Sequence, residues 1–425
     1  LTATTLAGCG QAQSSPAGTD AGTEASAAGS AGSKEGEKIL TYAVMEEPET
    51  LDPTLNNYST SSTFLQNMFC GLFQLEADGS LTDVGRLNAL ATTQKGNIVS
   101  AINELRDSIG GGGYGAATVV IGTSTQGHTL ADCDYLCDGT DDQEEIQQAI
   151  SSLWSHGGKI FILEGCYYLS GGINIYPSNI TIEGCGSGTH LVRMYDSYDE
   201  QLAMISMSGP YNFTKIKNLF IDGNKSNYPG ANNTGIYFES GKHCEIANNF
   251  IINCAKNGIR IDQDYNNVHD NYIDGCNIAI DAHRFNNGRI CNNITNNTAS
   301  AGISLQGSYN NVYGNTTNRS KKSIYVKGNC NTISGNNMGD ISDGMYMEDA
   351  SFNTITGNNM HDITGENYAG ITLSASNNNT LAGNVSDGIN IYSSSSHNIV
   401  LGNQYTHLND SGTDTVSDNN VLYQK

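Results

Sequence analysis

Proline, charge and basic residues are scarce in this sequence. Of its 425 residues only 6 are Pro and 15% are charged, and 20 Lys and Arg face 43 Asp and Glu, for a formal net charge of −23. Proteins that bind nucleic acid need Lys and Arg to neutralise phosphates, so no nucleic-acid partner is expected. The sequence has no run of 18 apolar residues, which excludes a membrane-spanning helix within it. Its 37% hydrophobic content is too high for an acidic disordered chain.

Asn is abundant instead, and it is concentrated in the second half. Of 50 Asn, 38 lie in residues 231–425, whereas all six Pro precede Gly230. In eight pairs an apolar residue is followed three positions later by Asn, and the Asn steps are 22, 22, 22, 21, 22, 26 and 19 residues: Ile246/Asn249, Val268/Asn271, Ile290/Asn293, Val312/Asn315, Ile333/Asn336, Ile355/Asn358, Leu381/Asn384 and Val400/Asn403. A second apolar column precedes the first: Ile236, Ile259, Ile280, Ile303, Ile324, Met345, Ile371 and Ile389.

Repeats of this length are typical of solenoids, and each coil is predicted to hold two short strands separated by Gly, Asn and Asp turns. Stacked coils explain the composition, because Pro would delete a hydrogen bond between coils. Asn tolerates left-handed turns and can bond its copy one coil away. About 12 coils are expected from Lys159 to the end. The 26-then-19 step predicts a bulge near residues 365–368.

A helix is predicted before the coils. Asp138-Gly-Thr-Asp-Asp begins it, with Thr140 or Asp141 as the N-cap, and Gly157-Gly158 ends it. Together with the Gly-Gly-Lys-Ile strand and the Thr-Ile-Glu-Gly turn that follow, residues 134–193 resemble the opening of the pectate-lyase-like right-handed β-helix family. The resemblance implies an all-β fold, a single-stranded right-handed parallel β-helix whose N-terminal end is capped by this α-helix. Residues 119–125 and 133–137 look like the form found in phage-tail-associated members.

The first part of the chain has a different character. Leu6-Ala-Gly-Cys9 resembles a bacterial lipobox, which implies lipidation at Cys9 and a lipid anchor. Tyr42–Pro53 resembles the mature start of peptide-binding lipoproteins of ABC importers, but the residues that would complete that family's cleft are missing, so a fusion is inferred. Residues 87–105 resemble spacers of phage tail fibres, which are usually trimeric; a single amphipathic helix is the alternative.

The predicted organisation has five segments. They are a lipobox-like start and flexible tether (1–38), a lipoprotein-like fragment (39–82), a short helical or coiled spacer with a Gly linker (83–115), an entry segment with the capping helix (116–158) and the parallel β-helix (159–425).

Alternation along the second apolar column places polar residues on an outer face. Five of them, on three successive coils, form the predicted catalytic set: Glu239, Arg260, Asp262, Asp281 and His283. Glu239 and Asp262 should face each other as like charges, which would raise one pKa, and a carboxylate should orient His283. Such groups suit acid–base work on an acidic sugar. The predicted substrate-binding residues lie on the same face: Tyr237, Tyr325, Tyr346, Lys327 and Glu348.

Ala279-Ile-Asp-Ala-His resembles the Gly-Phe-Asp-Pro-His catalytic strand of mannuronan C5-epimerases, with Asp281 and His283 as the corresponding residues. The sequence departs from that pattern at Ile278 and Arg284. The alternative is a merely solvated or sugar-binding face; Asp264 and Arg284, in the turns, are expected to be solvated. No cofactor is predicted, although Asp262 and Asp281 could supply two ligands of a Ca²⁺ site.

The cysteines show no zinc pattern. Cys254 and Cys276 each lie five residues after a ladder Asn, so a buried ladder of thiols on adjacent coils is predicted.

The leading functional hypothesis is an extracellular, cell-surface or virion-associated protein that recognises a polysaccharide, as a homotrimer. One alternative is a polysaccharide lyase, glycoside hydrolase or C5-epimerase that uses Asp262, Asp281 and His283. The other is a structural spacer or adhesin.

Overall fold

The computed structural model describes residues 118–197, 203–230, 232–364 and 369–422, together with the backbone of two short strands, β1 (Phe73–Leu75) and β2 (Leu81–Asp83). These two strands pair in antiparallel fashion within a first unit, Leu1–Ser108, and a second unit comprises Ile109–Lys425. The predictions for Cys9, for the tether and for the coiled spacer lie outside the described residues.

The second unit is built from short strands. The first of them are β3 (Thr118–Thr123), β4 (Tyr135–Cys137), β5 (Gly158–Ile162), β6 (Gly165–Leu169), β7 (Ile173–Asn174), β8 (Ile180–Glu183), β9 (Thr189–Arg193), β10 (Ile205–Met207), β11 (Lys215–Lys217) and β12 (Phe220–Asp222). The regular repeats follow as β13 (Ile236–Phe238), β14 (Glu245–Ala247), β15 (Phe250–Ile252), β16 (Asn257–Ile261), β17 (Asn267–His269), β18 (Tyr272–Asp274), β19 (Ile278–His283), β20 (Arg289–Cys291), β21 (Ile294–Gln306), β22 (Asn311–Tyr313), β23 (Thr316–Lys327), β24 (Thr332–Ser334), β25 (Asn337–Gly339), β26 (Asp343–Glu348), β27 (Thr354–Thr356), β28 (Asn359–Met360), β29 (Ile371–Ser374), β30 (Thr380–Ala382), β31 (Val385–Ser386), β32 (Ile389–Ile391), β33 (Ile399–Leu401), β34 (Gln404–Tyr405), β35 (Leu408–Asp410), β36 (Val416–Asp418) and β37 (Val421–Leu422).

Each regular coil contributes one strand to each of three parallel sheets. Sheet 1 contains β7, β10, β13, β16, β19, the ends of β21 and β23, β26, β29, β32 and β35. Sheet 2 contains β3, β4, β5, β8, β11, β14, β17, β20, β22, β24, β27, β30, β33 and β36. Sheet 3 contains β6, β9, β12, β15, β18, the starts of β21 and β23, β25, β28, β31, β34 and β37.

This architecture confirms the predicted parallel β-helix and corrects its details. The prediction of two strands per coil is wrong, because sheet 3 supplies a third. Among the described residues sheet 1 has eleven strands and sheet 3 has twelve, in line with the expected number of about 12 coils. Strands β21 and β23 run through the corner between sheets 3 and 1 without a break. The predicted bulge at residues 365–368 lies outside the described residues.

Helix α1 (Gln143–Ser152) buries Ile146, Ala149 and Ile150. It contacts β3, β4, β6 and β7 at the start of the solenoid, the place expected of the capping helix. The predicted N-cap at Thr140 or Asp141 is wrong. Asp142 precedes the helix, and its buried carboxylate accepts hydrogen bonds from the backbone nitrogens of Gly139 (2.8 Å) and Tyr168 (2.7 Å), which ties the helix start to β6.

The predicted Asn ladder lies at the corner between sheets 2 and 3. In each rung a buried Asn donates through Nδ2 to Oδ1 of its copy on the next coil; between Asn315 and Asn336 this distance is 2.9 Å. The same Nδ2 of Asn315 donates to the carbonyl of Ile290 one coil back, also at 2.9 Å. The ladder therefore satisfies the polar groups of tight turns inside an apolar core, where an unpaired group is costly.

Sequence reasoning missed a second buried Asn ladder, at the corner between sheets 1 and 2. It runs through Asn310, Asn331, Asn353, Asn379 and Asn398, with Nδ2–Oδ1 distances of 3.0 Å between Asn310 and Asn331 and between Asn353 and Asn379, and of 3.1 Å between Asn379 and Asn398. Asn331 donates instead to the carbonyl of Gly307, but its backbone nitrogen donates to Oδ1 of Asn353. The two ladders fix both ends of every short strand in this part of sheet 2.

Candidate functional site

The outer face of sheet 1 carries the predicted site residues, but it is less exposed than predicted. Tyr237, in β13, is only 5% exposed, and Asp262, directly after β16, is only 1% exposed. Arg260 explains part of this burial, because its guanidinium lies 5.0 Å from the centre of the Tyr237 ring on the preceding coil.

Asp262 is the centre of a charged cluster. Arg260 donates to it twice, from Nε to Oδ1 and from Nη2 to Oδ2, each at 3.1 Å. Arg284 donates from Nη2 to Oδ2 at 3.3 Å, and Tyr237 donates its hydroxyl to the same oxygen at 3.4 Å. Bidentate guanidinium–carboxylate pairs of this kind are strong and fix geometry.

Two arginines therefore bind the carboxylate of Asp262. The sequence had predicted that this carboxylate faces Glu239 as a like charge. The register of the sheet does put Glu239 next to Asp262, because Phe238 pairs with Ile261. Burial alone lowers the pKa of Arg260, but the hydrogen bonds and charge of Asp262 outweigh burial, so that the pKa is raised. Arg260 thus keeps its positive charge.

Asp281 and His283 lie on the next coil, in β19. Burial raises the pKa of Asp281, and the positive charges of Arg260 and His283 only partly offset this effect. Oδ1 of Asp281 is buried without a hydrogen bond, and Oδ2 accepts from Asn257 at 3.4 Å. Nδ1 of His283 lies 3.7 Å from Oδ2 of Asp262, too far for a hydrogen bond. The structure thus brings together Arg260, Asp262, Asp281 and His283 as predicted.

A second group lies further along the same face. The rings of Tyr325 and Tyr346 stack with centroids 6.4 Å apart, and Nζ of Lys322 lies 4.9 Å and 4.1 Å from their centres. The Tyr325 hydroxyl donates to Glu348 at 2.6 Å, and burial together with this bond raises the pKa of Tyr325. Lys327 is bound to Asp349 at 3.3 Å.

Sequence reasoning missed Arg284, Asn257 and Lys322. Arg284 was expected to be solvated, and its side chain is indeed 63% exposed, yet its guanidinium reaches back to Asp262. Its position directly after His283 places Arg284 near the site, but nothing in the sequence indicates that its guanidinium contacts Asp262. Asp264 was also expected to be solvated, but it accepts a hydrogen bond from Asn286 at 2.8 Å.

The described cysteines are all free thiols, and Cys254 and Cys276 are buried, as predicted for a thiol ladder. Among the described residues, one group of three side chains could hold a metal ion: Cys137, Asp142 and Glu145, at the start of α1. Asp262 and Asp281 do not form a Ca²⁺ site in the described structure, because Asp262 is already bound by two guanidinium groups.

Two surface depressions lie away from the Asp262 cluster. One, of about 470 Å³, lies between α1 and β7, and the other, of about 340 Å³, lies on sheet 3 around Asp274, Arg319, Asp340 and His361. Neither contains the cluster.

Comparison with known proteins identifies the fold family. A family model described as the periplasmic copper-binding protein NosD matches residues 286–424. The DFA-IIIase of Arthrobacter chlorophenolicus A6, in complex with GF2, has a TM-score of 0.57 and 16% identity over 72% of this chain and 96% of that one. The A-module of mannuronan C-5 epimerase AlgE6 from Azotobacter vinelandii has a TM-score of 0.50 and 15% identity over 68% and 97%. The chain therefore has the fold of a pectate-lyase-like right-handed parallel β-helix.

Part of the chain also matches a curated relative in sequence. Alginate lyase 7 of Azotobacter vinelandii is 36% identical over 101 residues, which are 21% of this chain and 12% of the relative. The chain thus spans about one eighth of that relative's length. The solved structures, at 15% and 16% identity, show the fold alone.

The side chains of the matched segment do not provide a donor set for copper. Within the described part of residues 286–422, no three His, Cys, Asp or Glu side chains lie close enough to share an ion. Met338, Met345, Met347 and Met360, whose thioethers could bind copper, are buried in the apolar core. No helix in the described part of the chain has the length and apolarity needed to cross a membrane.

Proposed function

We propose that the protein binds a polysaccharide along the outer face of sheet 1, in an extracellular, cell-surface, virion or periplasmic setting. The observation that carries this proposal is the Asp262 cluster, which shares one face with the stacked tyrosines. Asp281 pairs in register with Ser304, Ser304 with Tyr325, and Tyr325 with Tyr346. Tyr325 is thus two coils from Asp281, about 10 Å at ~4.8 Å per strand step.

Each part of this face has a role in binding a sugar chain. The exposed guanidinium of Arg284 offers hydrogen bonds and positive charge to hydroxyl or carboxylate groups, and the half-exposed imidazole of His283 offers hydrogen bonds. Arg260 holds Asp262 in place and is a positioning residue. Tyr325 and Tyr346 provide a partly apolar surface beside a carboxylate, Glu348.

The names of the relatives support the same class of ligand. Alginate lyase and mannuronan C-5 epimerase are both named for polysaccharides, and they share sequence or fold with this chain. The homotrimer and the lipid anchor at Cys9 remain proposals that light scattering and mass spectrometry of the intact chain can test.

The test compares binding to a glycan array by the full chain and by an Asp281→Ala/His283→Ala variant. Asp262 is left intact, because its removal would leave the partly buried Arg260 guanidinium without its carboxylate partner. Loss of glycan signals in the variant is expected. The matched control is His269→Ala, which removes a histidine bound to Glu245 (2.9 Å) on sheet 2. Equal loss in both variants, or no loss in either, would refute binding at this face.

A second candidate is catalysis on a uronate polysaccharide, favoured by the raised pKa of Asp281 next to His283. His283 would take the proton from C5 of the sugar, and the electron pair left behind would expel the oxygen on C4. Protonated Asp281 would give its proton to that oxygen, and the product would carry a C4–C5 double bond. Ultraviolet absorbance of that double bond, from polymannuronate with wild type but not with Asp281→Asn, is the expected sign. If neither protein produces this absorbance, catalysis is refuted and the binding function is left. If the glycan array also shows no binding, a spacer role is left.

A further inference from the structure

The turn between sheets 1 and 2 presents a row of exposed aromatic side chains, which we call the aromatic ridge: Phe213, His243, Tyr265, Tyr309 and Phe352. Each occupies the same position of its coil, two residues before the first residue of a sheet-2 strand. Phe213 is 53% exposed, Tyr309 63% and Phe352 61%. None of these residues belongs to the site on sheet 1.

The backbone makes the ridge unusual. All five residues have left-handed conformations, with φ between 59° and 63°. Bulky side chains rarely adopt this conformation, which Gly and Asn adopt easily. Backbone hydrogen bonds between coils hold it in place; the nitrogen of Tyr309 donates to the carbonyl of Asn329 at 3.1 Å, and that of Phe352 to Asn377 at 3.0 Å. Strained positions of this kind are typical of ligand-binding surfaces.

The spacing of the ridge changes along the solenoid. Phe213, His243 and Tyr265 lie on consecutive coils, and their rings stack at 5.3 Å, so that they cover one another. Beyond them, Asn287 and Cys330 alternate with Tyr309 and Phe352. In this second stretch the aromatic residues recur every two coils, about 10 Å apart at ~4.8 Å per coil. Small side chains between them leave room beside each ring.

The groups that flank Tyr309, Cys330 and Phe352 are uncharged on both sides, whereas the exposed Arg289 starts the strand beside Asn287. Ser308, Asn329 and Ser351 precede the ridge positions and are linked by hydrogen bonds, from Asn329 nitrogen to Ser308 Oγ (3.0 Å) and from Ser351 nitrogen to Asn329 Oδ1 (2.8 Å). On the other side, Asn311, Thr332 and Thr354 are exposed at the starts of their strands. Lys327 and Asp349, further into sheet 1, pair with each other.

The geometry points to a neutral β-1,4-linked polysaccharide as the occupant of the stretch from Tyr265 to Phe352. Successive sugars of such a chain are turned over, so equivalent faces recur every second sugar and can meet an aromatic residue every second coil. Hydroxyl and amide groups beside the rings suit sugar hydroxyls. Lys327 and Asp349 offset each other, and the exposed Arg289, at the start of β20, adds a single positive charge one coil before Tyr309. A single row of separated rings lacks the contiguous apolar core of a stable interface between copies of the chain.

This inference rests on the proposed function and adds a second contact surface to it. The test uses the full chain and a Tyr309→Asn/Phe352→Asn variant, because Asn accepts the left-handed backbone. Affinity electrophoresis and calorimetry use hydroxyethyl cellulose as the neutral β-1,4 probe, dextran as a neutral probe of other linkage, and alginate as an acidic probe. We expect wild type to bind hydroxyethyl cellulose more tightly than dextran, and the variant to lose about tenfold or more in affinity for it. The melting temperature of the variant should be unchanged or higher.

The control is Tyr313→Asn, which removes an exposed tyrosine of sheet 2 outside the ridge and should leave binding intact. Unchanged affinity of the double variant for hydroxyethyl cellulose would overturn the inference. A variant that becomes smaller in light scattering would overturn it as well, because the ridge would then be a self-association surface. If wild type binds alginate in a manner that needs Asp281 and His283, but not hydroxyethyl cellulose, the ridge inference fails and the proposed function stands. Binding to none of the probes would count against both.

Discussion

The two turns that border sheet 2 share a backbone conformation but not a choice of residues. At the corner with sheet 3 the left-handed position is occupied only by Asn, Asp and Gly: Asn218, Asn248, Asp270, Asn292, Gly314, Gly335, Gly357, Gly383, Gly402 and Asn419. At the corner with sheet 1 the same position includes Phe, Tyr, His and Cys: Asn179, Phe213, His243, Tyr265, Asn287, Tyr309, Cys330, Phe352, Asn378, His397 and Asp414. In the regular coils a buried Asn follows most of these positions at either corner.

The difference separates what the fold requires from what it tolerates. At the first corner, the left-handed position holds the residue types for which a positive φ costs the least free energy. The second accepts a cost of about 1 kcal/mol or more for each bulky residue. Nothing in the buried ladder next to it needs an aromatic side chain, so the reason for these residues lies on the solvent side.

The largest expected loss of stability comes from removing one buried Asn of the ladders that hold both corners. In Asn315→Ala, the backbone nitrogen and Nδ2 of Asn293 lose their acceptor, and the carbonyl of Ile290 loses a donor. These groups are buried, so the free energy of unfolding should fall by about 3 to 5 kcal/mol in urea denaturation. Asn311→Ala, at an exposed position, should change it by less than about 0.5 kcal/mol. A loss under 1 kcal/mol in Asn315→Ala would show that the ladder does not hold the corner.

A smaller loss of stability is expected when an aromatic residue, as found at the corner with sheet 1, is placed at the corner with sheet 3. Gly335 has φ of 61°, and a Cβ at this position would meet no atom within 4 Å. Gly335→Phe therefore isolates backbone strain from steric clash, and the free energy of unfolding should fall by about 1 to 2 kcal/mol. Gly335→Asn is the control and should cost less. Equal stability of the two variants would mean that aromatic residues are free to occupy either corner, and the comparison would lose its meaning.

The smallest effect concerns the face that leads into the second corner. The folded pKa of Asp281 lies above its ordinary value of 3.8, so between these two values the folded chain holds a proton that the unfolded chain releases. The contribution of Asp281 to stability must therefore fall as the pH rises through this window. Melting temperatures of wild type and Asp281→Asn, measured across it, should diverge in favour of the variant with rising pH. Asp340→Asn, at an exposed carboxylate, should not reproduce this trend; a parallel course of wild type and Asp281→Asn would contradict the assignment.

The regular part of the fold could be predicted because it depends on period. Apolar residues three positions before Asn gave the strands of sheet 2 and the ladder, and the column from Ile236 to Ile389 gave sheet 1. Sheet 3 was missed because its strands are very short and its inward position is not uniformly apolar. Thr295, Thr317 and Ser386 stand where Ile251 and Ile273 stand in earlier coils.

For the candidate site, the sequence could predict which residues share one face of the solenoid, but not their contacts or burial. Alternation placed Asp262, Asp281 and His283 on one face, and the structure brings them together. Their burial depends on how long side chains lie across neighbouring coils, as Arg260 does over Tyr237, and alternation within one strand carries no such information. The reach of Arg284 to Asp262, across 22 residues of sequence, could not be predicted for the same reason.

The Asn ladder also allows the number of residues per coil to vary. Asn358 donates to Asn384 across 26 residues and Asn384 to Asn403 across 19, at 2.9 Å and 3.0 Å, nearly the same distances as in the 22-residue coils. Vertical alignment is thus set by rung-to-rung bonding and not by counting residues, and additional residues between β28 and β29 leave the neighbouring coils in place. For protein engineering, that connection is a natural insertion point for a foreign loop or domain, and lineages of such proteins can change one coil's length without rebuilding the others.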